Sequence, residues 1–157
     1  MRTPLLCLLL LACGPKHAPL PPVTTANGAL VPQLGHHGLV RAVALSPDGK
    51  RLATGRQDGR LELWEAQTGD LIADLLPAGP GMMLVTFSPD SKTLAALTDA
   101  TITLFDVASG TELRHFPTGA PDMYDVWGAT FSPDGTQLAI GTNVVSVFDV
   151  ATGDSAW

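Results

Sequence analysis

The side chains best equipped for chemistry in this sequence are few. His36 and His37 stand side by side, Cys7 and Cys13 are the two thiols, and the carboxylates gather in turn-like stretches such as Ser46-Pro47-Asp48-Gly49. A histidine pair suggests a metal ion, but adjacent residues of an extended chain point to opposite faces, so a shared ion is awkward. The sequence holds no Gly-x-Ser-x-Gly elbow, no His-Glu-x-x-His and no phosphate-binding loop, which leaves acyl transfer, zinc hydrolysis and nucleotide chemistry without their usual residues. An enzyme is therefore not expected, nor is a cofactor or a metal. A formal charge of −6 with no cluster of Lys or Arg also argues against nucleic acid, whose affinity is built from cationic side chains that release counterions.

The first fourteen residues, "MRTPLLCLLLLACG", carry Arg2, an apolar run from Leu5 to Ala12 and then Cys13. A run this short cannot span a bilayer as a permanent helix and reads as an export signal, residues 1–12, to be set aside from the fold. "LLA" before Cys13 resembles the lipobox of bacterial lipoproteins. That resemblance implies that Cys13 is acylated and becomes the new amino terminus, while Cys7 leaves with the signal. No thiol would then remain for a disulfide, a zinc site or a nucleophile. The next residues, 13–28, hold four prolines and suit an extended tether between lipid and domain. The implied address is the periplasmic side of a bacterial cell envelope, with the outer membrane favoured over the inner by Gly14 after the cysteine.

What must position any functional residue is a repeat. "ALSPDGKRLATG", "TFSPDSKTLAAL" and "TFSPDGTQLAIG" begin at Ala44, Thr86 and Thr130, and their turn serines lie 42 and 44 residues apart. The aromatics Trp64, Phe105 and Phe148 keep step, as do the turn glycines Gly69, Gly110 and Gly153. A fixed period in this range signals an array of supersecondary units, none able to bury its own surface alone. In Ser-Pro-Asp-Gly, Pro47 presets φ at the first corner of a type I turn, Asp48 fits the second and Gly49 accepts the exit conformation. Short alternating runs on either side predict four strands per repeat and no helix. The fold expected is all-β: four-stranded antiparallel blades, about three of them, over residues 29–157, with repeats near 35–76, 77–117 and 118–157.

These residues resemble WD40-type β-propeller repeats. The first copy carries the likeness best, with Gly35-His36, the Ser-Pro-Asp-Gly turn, Asp58-Gly59 and Leu63-Trp64 followed by Glu65. The resemblance implies a buried hydrogen-bonded set made of His36, Thr54, Asp58 and Trp64, with His37 in solvent. The second and third copies depart from it: "AGPG" and "GAPD" stand where Gly-His is expected, and phenylalanine replaces tryptophan. Their blades must rely on apolar packing. The turn sequence is also used by other propellers, including periplasmic TolB-like proteins.

Propellers close with roughly four to eight blades, so three do not make a ring. Two readings fit: a truncated piece of a larger propeller, enzymatic or TolB-like, with no independent activity, or two chains completing one ring as a homodimer in which the strand from Ala29 to Leu34 pairs with the blade ending at Trp157. The function expected is a membrane-anchored, non-catalytic scaffold for a protein partner. By resemblance its contacts fall on Leu39, Arg41 and Gln57 in the first copy, Met83 in the second, and Asp125 and Trp127 in the third, with Tyr124 beside them.

Overall fold

A computed structural model describes residues 39–82, 84–98, 101–118, 126–142 and 144–156. The described residues form eleven strands and no helix: β1 (Val40–Leu45), β2 (Arg51–Arg56), β3 (Leu61–Glu65), β4 (Leu71–Leu76), β5 (Leu84–Phe87), β6 (Thr93–Leu97), β7 (Thr101–Asp106), β8 (Glu112–Pro117), β9 (Gly128–Phe131), β10 (Gln137–Gly141) and β11 (Val145–Asp149). They pair in chain order as antiparallel meanders, β1-β2-β3-β4, β5-β6-β7-β8 and β9-β10-β11. The all-β, bladed architecture expected from the repeat is the one found. In the third sheet the fourth position is opened by a bridge between Phe148 and Ser155, at the place where Trp64 meets Leu71 and Phe105 meets Glu112 in the other two.

The turns form for the reason their residues suggest. Gly49 N–H donates to the Ser46 carbonyl at 2.8 Å, closing a β-turn, and Gly49 leaves it at φ +70°, a conformation that costs glycine little. The Ser46 hydroxyl donates to Asp48 Oδ1 at 2.6 Å and accepts from Arg51 N–H at 2.9 Å. The same bonds recur from Ser88 and Ser132. Ser91 takes the glycine position in the middle copy at φ +62°. Its hydroxyl accepts the Asp48 N–H of the neighbouring turn at 3.1 Å, so a strained residue ties the first sheet to the second.

Each sheet has two faces, set by the strand alternation of side chains. We call front the face bearing Trp64, Phe105 or Phe148. The back of the first sheet (Ala42, Ala53, Leu61, Leu63) packs on the front of the second (Val85, Phe87, Leu94, Ala96, Phe105), with Met82 buried between them. The back of the second (Ala95, Leu97, Ile102, Leu104) likewise covers the front of the third (Phe131, Leu138, Ile140, Phe148). There Phe116 meets Phe148 with ring centroids 5.4 Å apart.

Candidate protein-interaction face

Antiparallel meanders send alternate connections to opposite ends of the stack. One end holds the Ser-Pro-Asp turns, and the other holds Leu39, the β2–β3 connection and the described residues that flank the β4–β5, β6–β7, β8–β9 and β10–β11 connections. Backbone bonds knit this second end together. Gln57 N–H donates to the Leu39 carbonyl (2.8 Å), Gly79 N–H to Asp58 (3.1 Å), Met82 N–H to Arg56 (3.1 Å) and Trp127 N–H to Gly141 (2.9 Å). Gly59, at φ +80°, sits so tightly under this weave that a Cβ there would overlap the backbone of Gly79 and Pro80.

Four of the residues expected to contact a partner are described, and all four are exposed at this end. Leu39 and Gln57 are hydrogen-bonded neighbours through their backbones. Arg41 is the extra residue of a bulge, since Val40 pairs with Arg56 and Ala42 with Gly55; a bulge re-aims a side chain. Trp127 leads into β9 with 80% of its surface exposed. Aligned on the turn serines, Arg41 and Trp127 hold the same place in their repeats, five residues before Ser46 and Ser132. Met83, Tyr124 and Asp125 lie outside the described residues, as do His36 and Cys13.

Beneath this end, the front of the first sheet carries a connected polar chain. The register sets Thr54 opposite Glu62 and Leu52 opposite Trp64, so Trp64 reaches Thr54 diagonally: its Nε1–H donates to Thr54 Oγ1 at 2.9 Å. The Thr54 hydroxyl donates in turn to Glu62 Oε2 at 3.2 Å. Arg56, its side chain only 7% exposed, donates from Nη1 to Glu62 Oε1 at 3.4 Å and pairs through Nη2 with Asp58 at 3.3 Å. The expected set of His36, Thr54, Asp58 and Trp64 thus shares Thr54 and Trp64 with what is observed. Asp58 is reached only through Arg56 and faces solvent.

Arg56 and Glu62 were missed by reading the sequence. The available signal was spacing, because Arg56 is two residues beyond Thr54, and Glu62 two before Trp64, so all four side chains share one face. A buried charge pair stands only where its hydrogen-bonding partners are in place. Here Thr54 and Asp58 flank the pair on either side.

At the opposite end the turn carboxylates are held ionised. The Ser46, Ser88 and Ser132 hydroxyls, followed by backbone N–H groups, lower the pKa values of Asp48, Asp90 and Asp134 below 3.8, that of Asp134 to about 2. Ser109 does the same for Asp106. These are structural turns, with each aspartate engaged by its own turn. Among the described residues no group of three or more His, Cys, Asp or Glu is placed to hold a metal ion.

Comparison with known proteins places this geometry. Residues 28–65 match the family model described as WD domain, G-beta repeat. The chain is 31% identical over 127 residues to the small ribosomal subunit protein RACK1 of Schizosaccharomyces pombe, covering 74% of this chain and 39% of that protein. It is 39% identical over 75 residues to RACK1y of Oryza sativa subsp. japonica, covering 48% and 22%. It is also similar to the cross-pathway control WD-repeat protein 2 of Flammulina velutipes, 32% identical over 91 residues, 58% of this chain and 29% of that one. The crystal structure of RRP9 WD40 repeats superposes with a TM-score of 0.69 at 23% identity, over 78% of this chain and 39% of the other. The chain thus spans less than half the length of each of these proteins.

The relatives correct the expected address. Those named RACK1 are small ribosomal subunit proteins of a yeast, plants and a nematode, and localisation in a bacterial cell envelope is overturned by them. The physical reason for the misreading is that an apolar run with a cysteine after it is a short pattern of common residues. It holds far less information than a repeat written three times. Residues 28–65 match a WD repeat, and the described sheets have the fold of a WD40 β-propeller.

Proposed function

We propose that the chain is a non-catalytic scaffold whose protein partner docks on the end of the stack bearing Leu39, Arg41, Gln57 and Trp127, with Met83 and Asp125 as matching positions in the second and third repeats and Tyr124 beside them in sequence. The observation that carries this reading is Trp127, almost fully exposed at the place in its repeat that Arg41 holds in the first. Tryptophan and arginine are the side chains most enriched where binding energy concentrates, because each buries a large surface and keeps a polar handle. A tryptophan in water gains that energy only against a partner. The net charge of −6 favours protein over nucleic acid.

The reading is tested with the double variant Arg41→Ala, Trp127→Ala. The full chain, immobilised, should retain a defined set of proteins that survives nuclease treatment. Purified small ribosomal subunits serve as one probe, because several relatives bear that name. The variant, with an unchanged circular dichroism spectrum, should lose that set. Equal capture by both chains would refute this face as the docking site.

A further inference from the structure

One residue joins the polar chain of the first sheet to the end on which the partner is proposed to dock. Arg56 closes β2, and its backbone bonds run three ways. Its N–H donates to the Arg60 carbonyl at 2.9 Å, and its own carbonyl accepts from Gly59 at 3.0 Å and from Met82 at 3.1 Å. The first two shape the β2–β3 turn, and the third ties down the chain on its way to β5. The contact residues of the first repeat hang on this point. Gln57 follows Arg56 directly and donates to the Leu39 carbonyl; Val40 pairs with Arg56, and Arg41 is the bulged residue beside that pair. The Asp58 carbonyl accepts from Gly79, so the same turn also carries the β4–β5 connection.

The side chain of Arg56 ties that turn to the sheet. Nη2 pairs with the Asp58 carboxylate in the turn and Nη1 with the Glu62 carboxylate in β3. Glu62 is fixed in its turn by β2 and β4 on either side of β3 and by the Thr54 hydroxyl. A planar guanidinium can hold two carboxylates at once, where an ammonium is a single point. At 3.3 and 3.4 Å both contacts are long for charge-assisted bonds, and a buried ion pair is a poor source of stability, since apolar side chains often replace it without loss. What the pair supplies is direction, because it links a paired strand to a turn. It belongs to the first repeat alone: at the places of Arg56 and Glu62 the second repeat has Thr98 and Thr103, and the third has Thr142 and Ser146. The structure assigns Arg56 the role of a positioning residue, whose side chain holds the β2–β3 turn so that Leu39, Arg41 and Gln57 are arranged before a partner arrives. Order established in advance lowers the entropy that binding must remove.

This role rests on the docking end proposed above, and two readouts keep the two apart. Amide hydrogen exchange of the full chain reports local opening with no partner present. Arg56→Met with Glu62→Leu removes both buried charges together. The amides of Gln57, Gly59, Gly79 and Met82 should then exchange about tenfold faster, while those of Leu104 and Ile140 in the other two sheets keep their rates. Asp58→Asn, at an exposed position that spares the fold, should loosen the same amides by a smaller factor. In the second readout, binding of purified small ribosomal subunits to the immobilised chain should weaken about tenfold in the double variant, through the added cost of ordering the turn. End amides that keep their protection in both variants would overturn the positioning role. So would faster exchange of Leu104 and Ile140 alongside them, which would make the pair a support of the whole fold. Loosened amides with undiminished subunit binding would overturn the docking end and, with it, the part of Arg56 in binding, leaving only its hold on the turn.

Discussion

The first and second sheets are built on one repeat and buried in different ways. On the front of the second, Phe105, Leu94 and Ala96 make a dry apolar layer against a neighbour. On the front of the first, the same places hold Trp64, Leu52 and Thr54, and Glu62 and Arg56 extend a hydrogen-bonded chain towards the exposed end. The apolar layer needs a neighbouring sheet to exclude water, since its stabilisation is proportional to the area covered. The polar chain pairs its members within one sheet, Trp64 with Thr54, Thr54 with Glu62 and Arg56 with Glu62 and Asp58, leaving only Arg56 Nε unpartnered, and so needs less of a neighbouring sheet. A sheet at the outside of the stack is therefore served by the polar set, and an inner one by phenylalanine.

This contrast can be broken most forcefully in the inner layer. Phe105→Ala removes a buried ring from the junction of two sheets and should cost about 4 kcal/mol, the usual range for such cavities; urea unfolding would show the midpoint fall, with loss of the fold at ambient temperature as the extreme. In the outer layer, Glu62→Ala leaves Arg56 buried with only Asp58 as its partner, and should cost about 3 kcal/mol. Thr103→Ala, at the matching place in the second sheet, should cost clearly less in the same assay. Trp64→Phe, which copies the inner residue into the outer sheet, deletes the Nε1 donor and part of the ring of a half-buried side chain and should cost about 1 to 2 kcal/mol. If it cost as much as Phe105→Ala, the contrast between a polar and an apolar front would be wrong.

The smallest effect concerns what the sheets share. Asp48, Asp90 and Asp134 have folded-state pKa values lowered from 3.8, Asp134 to about 2. Their contribution to stability is therefore fully present above 3.8 and is lost as the pH falls through the folded-state values. Urea midpoints measured from neutral pH down to about pH 2 should decline in that window, and Asp134→Asn should flatten the decline partially, because two other turns retain their carboxylates.

Much of the architecture was legible without coordinates. Ser-Pro-Asp-Gly imposes its turn through Pro47 and Gly49 in any context, and alternation around Trp64 declares a strand before any neighbour is considered. Ser91 was visible as a departure, though not the bond from Asp48 N–H that it accepts, because that partner lies 43 residues away in sequence. The candidate site was half legible. Thr54 and Trp64 could be named by position, whereas Asp58 turned outward to Arg56, and the Arg56–Glu62 pair emerged only from the diagonal geometry of β2 and β3.

The division follows from the range of the forces. Turn type, strand period and repeat length are decided by dihedral preferences and local hydrogen bonds over a few residues, which the sequence by itself contains. Which face of each sheet is covered, which aromatic stays in water and which charges are paired depend on the stacking of sheets brought together from distant parts of the chain. Burial is a property of that stack, and only the tertiary structure decided that Phe105 lies inside it while Leu45 and Trp127 face out.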